Sequence, residues 1–109
     1  MRKMFINGTW SESPQSSPVI RSFNGETVDH IPDATDDQVE QTLEAAHKAS
    51  KILARIPAHE RASILNKVAA LIDEHVDELA NLVSLEVGKP ISEAKGEAGR
   101  VGELLRLSV

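Results

Sequence analysis

The 109-residue sequence predicts a mostly α-helical chain with a short amino-terminal β-hairpin region, on three observations. Two Asn-Gly pairs and most of the early β-branched residues fall before residue 32. Apolar residues recur at helical spacing from Val39 onward. Aromatic residues stop at Phe23, after Phe5 and Trp10, so everything beyond must pack through Leu, Ile, Val and Ala. That composition favours helices laid against another surface.

Phe5-Ile6-Asn7-Gly8-Thr9-Trp10 reads as a strand interrupted or ended at Asn7-Gly8. Residues 11–18, rich in Ser and Pro, read as a loop. Residues 19–23 and 27–31 are β-branched-rich runs joined across Asn24-Gly25. Such a pair reaches positive φ at both positions at little cost, so a hairpin is expected here.

Helices follow. Thr35-Asp36-Asp37-Gln38 fits a capping box, in which the threonine hydroxyl and the glutamine side chain satisfy free amides at the helix start. Behind it Val39, Leu43, Ala46, Ala49 and Leu53 share one face. Pro57 marks the break before a second helix, whose stripe of Leu65, Val68, Ala69, Ile72 and Val76 is widened by Ile64 and Leu71. So broad a face predicts burial on more than one side.

A third helix carries Leu79, Leu82 and Val83 and stops at Gly88-Lys89-Pro90. Glycine supplies a left-handed cap, lysine suits the carbonyl end, and proline opens the next element. The last helix aligns Ile91, Ala94, Ala98, Val101, Leu105 and Val109. Glycine in a helix interior costs about 1 kcal/mol relative to alanine, so Gly96, Gly99 and Gly102 need a reason. Gly102 lies on the apolar stripe, which predicts a closely approaching backbone. The stripe runs to Val109 without a cap or polar tail, and a truncation inside a helix is expected.

Length suits one small domain, and 40% hydrophobic with 27% charged residues is ordinary for a soluble protein. Net charge is −5, and no run of Lys or Arg exceeds two, a poor basis for neutralising phosphates. No apolar run approaches the ~20 residues of a membrane-spanning helix. Neither nucleic acid nor membrane is therefore expected as a partner. The basic start Met1-Arg2-Lys3-Met4-Phe5-Ile6 lacks the apolar stretch of a secretory signal, so cytoplasmic localisation is expected and the Asn7-Gly8-Thr9 sequon is coincidental. The absence of cysteine excludes disulfides, thiolate metal sites and a cysteine nucleophile within these residues.

Several chemical motifs fail on inspection. A phosphate-binding loop around Gly88-Lys89 would need glycine at Val83 and Ser or Thr at Pro90, so a helix connector is the better reading. Gly96, Gly99 and Gly102 lack the spacing of a dinucleotide fingerprint and sit within a helical pattern. His30, His47, His59 and His75 share no helix face as ligands, and His59-Glu60 lacks the second histidine of a zinc protease motif. Glu86 stands apart, because it falls between Leu79, Leu82 and Val83 on the helical wheel, near a helix end whose dipole disfavours negative charge. Either that end is exposed and Glu86 is solvated, or the carboxylate is buried and held by an ion pair or a cation.

Taken together, the segments resemble the aldehyde dehydrogenase superfamily. Phe5-Ile6-Asn7-Gly8-Thr9-Trp10 looks like its opening strand. Gly25-Glu26-Thr27-Val28 through Ile31-Pro32-Asp33-Ala34 resembles the following hairpin and helix entry, and Glu60-Arg61-Ala62-Ser63-Ile64-Leu65 the second helix. Most specific is Glu86-Val87-Gly88-Lys89-Pro90-Ile91, followed by Glu93-Ala94 and Gly96-Glu97. Arg21-Ser22 departs from the Asn-Pro pair common before the hairpin.

The resemblance implies an α/β parent fold with a Rossmann-type cofactor domain, of which residues 1–109 would be the amino-terminal part, truncated at the carboxyl end. It implies oxidation of an aldehyde to a carboxylic acid or acyl derivative with NAD or NADP, through a cysteine thiolate that attacks the aldehyde. It implies as partner the rest of the dehydrogenase chain, in a parent that is a homo-oligomer. In some members the acidic residue at the position of Glu86 helps hold a monovalent cation. The family's nucleophilic cysteine, glutamate base, Gly-rich turn and ribose-contacting lysine all fall beyond the matched region. No catalytic, cofactor-binding or metal residue is therefore assigned here, and the chain is not expected to be catalytically competent alone. The rival expectation is a free-standing small helical protein-interaction domain.

Overall fold

The computed structural model describes residues 2–109. Strands β1 (Met4–Ile6) and β2 (Thr9–Ser11) pair antiparallel, with Phe5 opposite Trp10. Between them Asn7 and Gly8 take φ of 47° and 76°. Positive φ at both central residues matches the right-handed twist of the flanking strands. The segment read as a strand interrupted or ended at Asn7-Gly8 is thus a complete hairpin.

Strands β3 (Ser16–Ile20) and β4 (Thr27–Pro32) form the second antiparallel pair. Here the expected tight turn does not form, because Gly25 has positive φ (75°) and Asn24 does not. Residues 21–26 make a longer connection, and the register breaks between Val19 and Ile20, which oppose Asp29 and Thr27. Residues 16–18, expected in a loop, open β3. A two-stranded sheet leaves each strand an outer edge, where Pro18 and its missing donor are tolerated. The start of β3 is tied down by Asp33, whose two carboxylate oxygens accept from the Ser17 hydroxyl at 2.8 and 2.9 Å. The Asp33 amide in turn donates to the Gln15 carbonyl at 2.9 Å.

Helix α1 (Asp36–Leu53) begins with the expected capping box. The Gln38 amide donates to the Thr35 hydroxyl at 3.2 Å, and the Gln38 side-chain oxygen accepts from the Thr35 amide at 3.0 Å. Nothing on α1 is buried, and its stripe is open, with Leu43 60% exposed.

Helices α2 (Ala58–Glu74), α3 (Val76–Val87) and α4 (Ile91–Leu107) follow. Val76, expected on the second helix, opens α3 instead, because His75 leaves helical geometry (φ −114°, ψ 15°) and serves as the cap of both helices. Rather than one core, the chain has two compact units: the strands with α1, and α2–α4 with Arg21–Asn24.

In the second unit the buried residues are small: Ala69, Ala80, Ala94, Ala98 and Gly102. Val76 and Val83 pack around the alanine cluster of α3 and α4. The two-sided burial expected of α2 is absent, since Ile64 and Leu71 stay more than half exposed. Gly102 meets the expectation of a close neighbour: a Cβ there would lie 3.3 Å from the Ala69 carbonyl of α2 and would collide with the Asp73 carboxylate. Gly96 and Gly99 face open space.

The chain exposes 8154 Å². Two separate compact bodies of half its mass would together expose about 7,200 Å². Large apolar side chains on the helices, among them Leu43, Ile52, Ile64, Leu71, Leu104 and Leu107, lie in this open surface.

Two substitutions of like chemistry should therefore differ in sign. Gly96→Ala relieves helix strain with nothing to displace, and is expected to raise urea-unfolding stability by up to about 1 kcal/mol. Gly102→Ala gains the same propensity but pushes α4 off α2 and disturbs Asp73, an overpacking cost of about 1–3 kcal/mol. A net loss is expected for it. Equal gains from both would refute the close α2–α4 approach.

Candidate functional site

The most specific sequence segment, residues 86–91, forms the junction of α3 and α4. Helix α3 ends because Gly88 adopts the left-handed conformation (φ 75°), and its amide donates to the Ser84 carbonyl. A Cβ on Gly88 would stand 3.2 Å from the Ser22 Cβ, so the junction is close-packed against residue 22 as well as left-handed. The Ser22 hydroxyl donates to the Glu86 carbonyl at 2.6 Å, satisfying one of the open carbonyls at the end of α3. Pro90 then precedes the first turn of α4, where a missing amide costs nothing.

Lys89, expected to serve the carbonyl end of α3, reaches forward instead and binds the Glu97 carboxylate of α4. That hydrogen bond, followed by the ammonium charge, holds Glu97 below the ordinary carboxylate range. Glu86 itself is exposed, and its carboxylate has no hydrogen-bond or ion-pair partner among the described residues. Of the two readings, the solvated helix end is the one found.

Beside the junction lies an apolar groove of about 290 Å³ between α3 and α4, floored by Leu79, Leu82, Val83 and Val101 with Glu86 and Glu97 at its rim. A second cleft, about 480 Å³, separates the β1–β2 hairpin from α1 and is lined by Thr9, Ser11, Gln41, Glu44 and Lys48 among others. Neither brings a nucleophile against a base. The four histidines are all exposed and apart; His75 Nδ1 lies 2.7 Å from the Leu71 carbonyl at the end of α2. Among the described residues no group of three or more His, Asp or Glu side chains could hold a metal ion. The strands are antiparallel pairs, and Gly96, Gly99 and Gly102 lie within α4. The strand, glycine-rich turn and helix N-terminus that cradle a pyrophosphate are not assembled from these residues.

The role of Ser22 was missed in the sequence. Its partner is 64 positions away, and no local pattern marks a loop hydroxyl as a helix cap.

Residues 10–109 match the model of the aldehyde dehydrogenase family. This chain belongs to the aldehyde dehydrogenase family. Malonate-semialdehyde dehydrogenase 2 of Oceanobacillus iheyensis is 38% identical over 100 residues, covering 90% of this chain and 21% of that protein. Among solved structures, an NADP-dependent glyceraldehyde-3-phosphate dehydrogenase from Bacillus halodurans C-125, complexed with NADP, superposes with a TM-score of 0.95. It is 28% identical, over 98% of this chain and 23% of that one. An NAD-dependent benzaldehyde dehydrogenase from Corynebacterium glutamicum gives 0.90 at 30% identity, over 97% and 24%. The chain thus spans about a fifth of the length of the curated relatives it matches. The mostly helical fold with short antiparallel strand pairs is the one these dehydrogenases have in the matched region. No helix among the described residues is long and apolar enough to cross a membrane.

The junction makes two measurable claims. Glu97 has its folded-state pKa depressed below the ordinary 4.5, so its pairing with Lys89 stabilises fully above that value and fades as pH falls through the depressed one. Unfolding midpoints followed from pH 6 to pH 3 should drop less for Glu97→Gln than for the wild type; parallel curves would contradict the pairing. Ser22→Ala should cost about 0.5–1.5 kcal/mol by removing one hydrogen bond. Glu86→Gln, a change at a solvated carboxylate, should stay within about 0.5 kcal/mol.

Proposed function

We propose that this chain is the amino-terminal part of the dinucleotide-binding domain of an NAD(P)-dependent aldehyde dehydrogenase, and that alone it does not catalyse the reaction. The observation that carries the reading is the family match over residues 10–109 in a chain without a single cysteine. The family chemistry needs a thiolate nucleophile, so that group must come from outside these residues. The parent oxidises an aldehyde to a carboxylic acid or acyl derivative, and NAD or NADP takes up the hydride. The named relatives act on small aldehydes and semialdehydes, and the parent's substrate is drawn from that class.

The contribution of these residues is structural. Surface beyond that of two compact bodies, with large aliphatic side chains in it, is what an outer layer of helices shows when the sheet it covers is missing. The remainder of the dehydrogenase chain is the partner for that surface, in a cytoplasmic homo-oligomer.

The deciding experiment joins this chain, in place of the matched fifth, to the remainder of the Oceanobacillus iheyensis malonate-semialdehyde dehydrogenase. With malonate semialdehyde and either NAD or NADP, the chimera should reduce cofactor at 340 nm, whereas the chain alone should not. Turnover by the chain alone would overturn the reading. A chimera that folds and assembles but cannot be made active would do so as well, and would leave the small interaction domain as the surviving account.

A further inference from the structure

Gln38 makes three hydrogen bonds. Its side-chain oxygen accepts from the Thr35 amide and its backbone amide donates to the Thr35 hydroxyl, which completes the cap of α1. Its side-chain nitrogen is left over, and donates to the Glu12 carbonyl at 2.8 Å. A capping box asks only for the oxygen, and glutamate serves there as well as glutamine. Only glutamine carries N–H groups beside that oxygen.

Glu12 follows β2, so this bond joins the end of the β1–β2 hairpin to the start of α1. The other strand is tied at its start, where the Arg2 amide donates to the His30 carbonyl of β4 at 3.1 Å. Both ties lie at the open end of the hairpin, and the Asn7-Gly8 turn lies at the other. Between the ties and the turn the strands border the cleft of about 480 Å³, whose helix wall includes Gln41, Ala45, Lys48 and Ala49. Alanine at 45 and 49 gives the hairpin little area to bury there. Its other face carries Phe5 and Trp10, which pair with each other and stay more than half exposed. A two-stranded hairpin is marginal by itself in water, so one with so little packing depends on its ties.

We propose that Gln38 is a tether as well as a cap: its side-chain N–H fastens the β1–β2 hairpin to α1 and maintains the cleft between them. The hairpin is a flap hinged at residues 2 and 12, and position 38 decides whether it is fastened. Gln38→Glu separates the two roles. The carboxylate keeps an oxygen for the Thr35 amide and adds a negative charge at a helix N-terminus, which by capping alone stabilises α1. Toward the Glu12 carbonyl it has no proton to give, and two oxygens are left facing each other. A cap alone would leave the hairpin as it is, whereas a tether would release it.

Amide hydrogen exchange of the full chain, followed residue by residue by NMR, reads both elements together. With Gln38→Glu at pH 7 the ladder amides of β1 and β2 should exchange about five-fold faster, the factor set by one lost hydrogen bond, while those of α1 keep or slow their rates. Trp10, the only tryptophan, lies in that hairpin, and in this variant its fluorescence should change in urea ahead of the helical signal. Below the ordinary carboxyl pKa of about 4.3, position 38 of the variant carries a proton and donates again, so the ratio of variant to wild-type rates should return towards one. Gln38→Ala, which has neither role, should release the hairpin and fray the first turn of α1 at every pH. Hairpin rates untouched by Gln38→Glu, acceleration spread equally through α1, or a difference that persists at pH 3 would each overturn the proposal.

Discussion

The second unit depends on how closely α4 can approach α2 and α3. Every fully or nearly buried residue there is alanine or glycine, and Gly102 lies so near the Ala69 carbonyl that one added carbon would crowd it. Small residues bring backbones together, and they also bury little area per side chain, so each contributes little of the roughly 25 cal/mol per Å² that drives folding. Shape is well specified by such contacts, and stability is not. The Asp73–Arg106 and Asp77–Lys95 pairs tie α4 to α2 and α3 at the rim of this packing, but they are too exposed to change the balance much.

From that constraint follows the weight placed on helix ends. Where cores are thin, the orphan amides and carbonyls of each helix become a larger share of what must be satisfied. The chain answers with the Thr35–Gln38 box at the start of α1, the left-handed Gly88 after α3, and the Ser22 hydroxyl on the Glu86 carbonyl. The last of these accommodates the departure of Arg21-Ser22 from the family's usual Asn-Pro pair: a donor stands where proline would present a ring. Lys89 is then free to bind Glu97 and join the junction to the first turns of α4.

The open apolar surface is the counterpart of this economy. Leu43 on α1, Ile64 and Leu71 on α2, and Leu104 and Leu107 on α4 are all more than half exposed. The curated relatives are about five times longer, and this surface is the open one in a chain that spans about a fifth of their length.

Much of this was legible in the sequence, because local chemistry decided it. The capping box needs only Thr35 and Gln38 three residues apart, the end of α3 needs only Gly88 before Pro90, and the reason for Gly102 follows from its place on the stripe. The missing cysteine settled what the chain lacks before any fold was considered. What tertiary structure alone decided was which of several locally equal options prevailed. Asn7-Gly8, read as the interruption or end of a strand, closes a hairpin, while Asn24-Gly25, read as the tight turn, lies in a longer connection beyond the register break near Val19. The wheel left Glu86 either solvated or buried with a partner; its helix ends at the surface, and Ser22 caps a carbonyl 64 residues away. Period and spacing describe one segment at a time. Burial, register and long-range caps depend on what the segment meets, and that is settled only when the chain has folded.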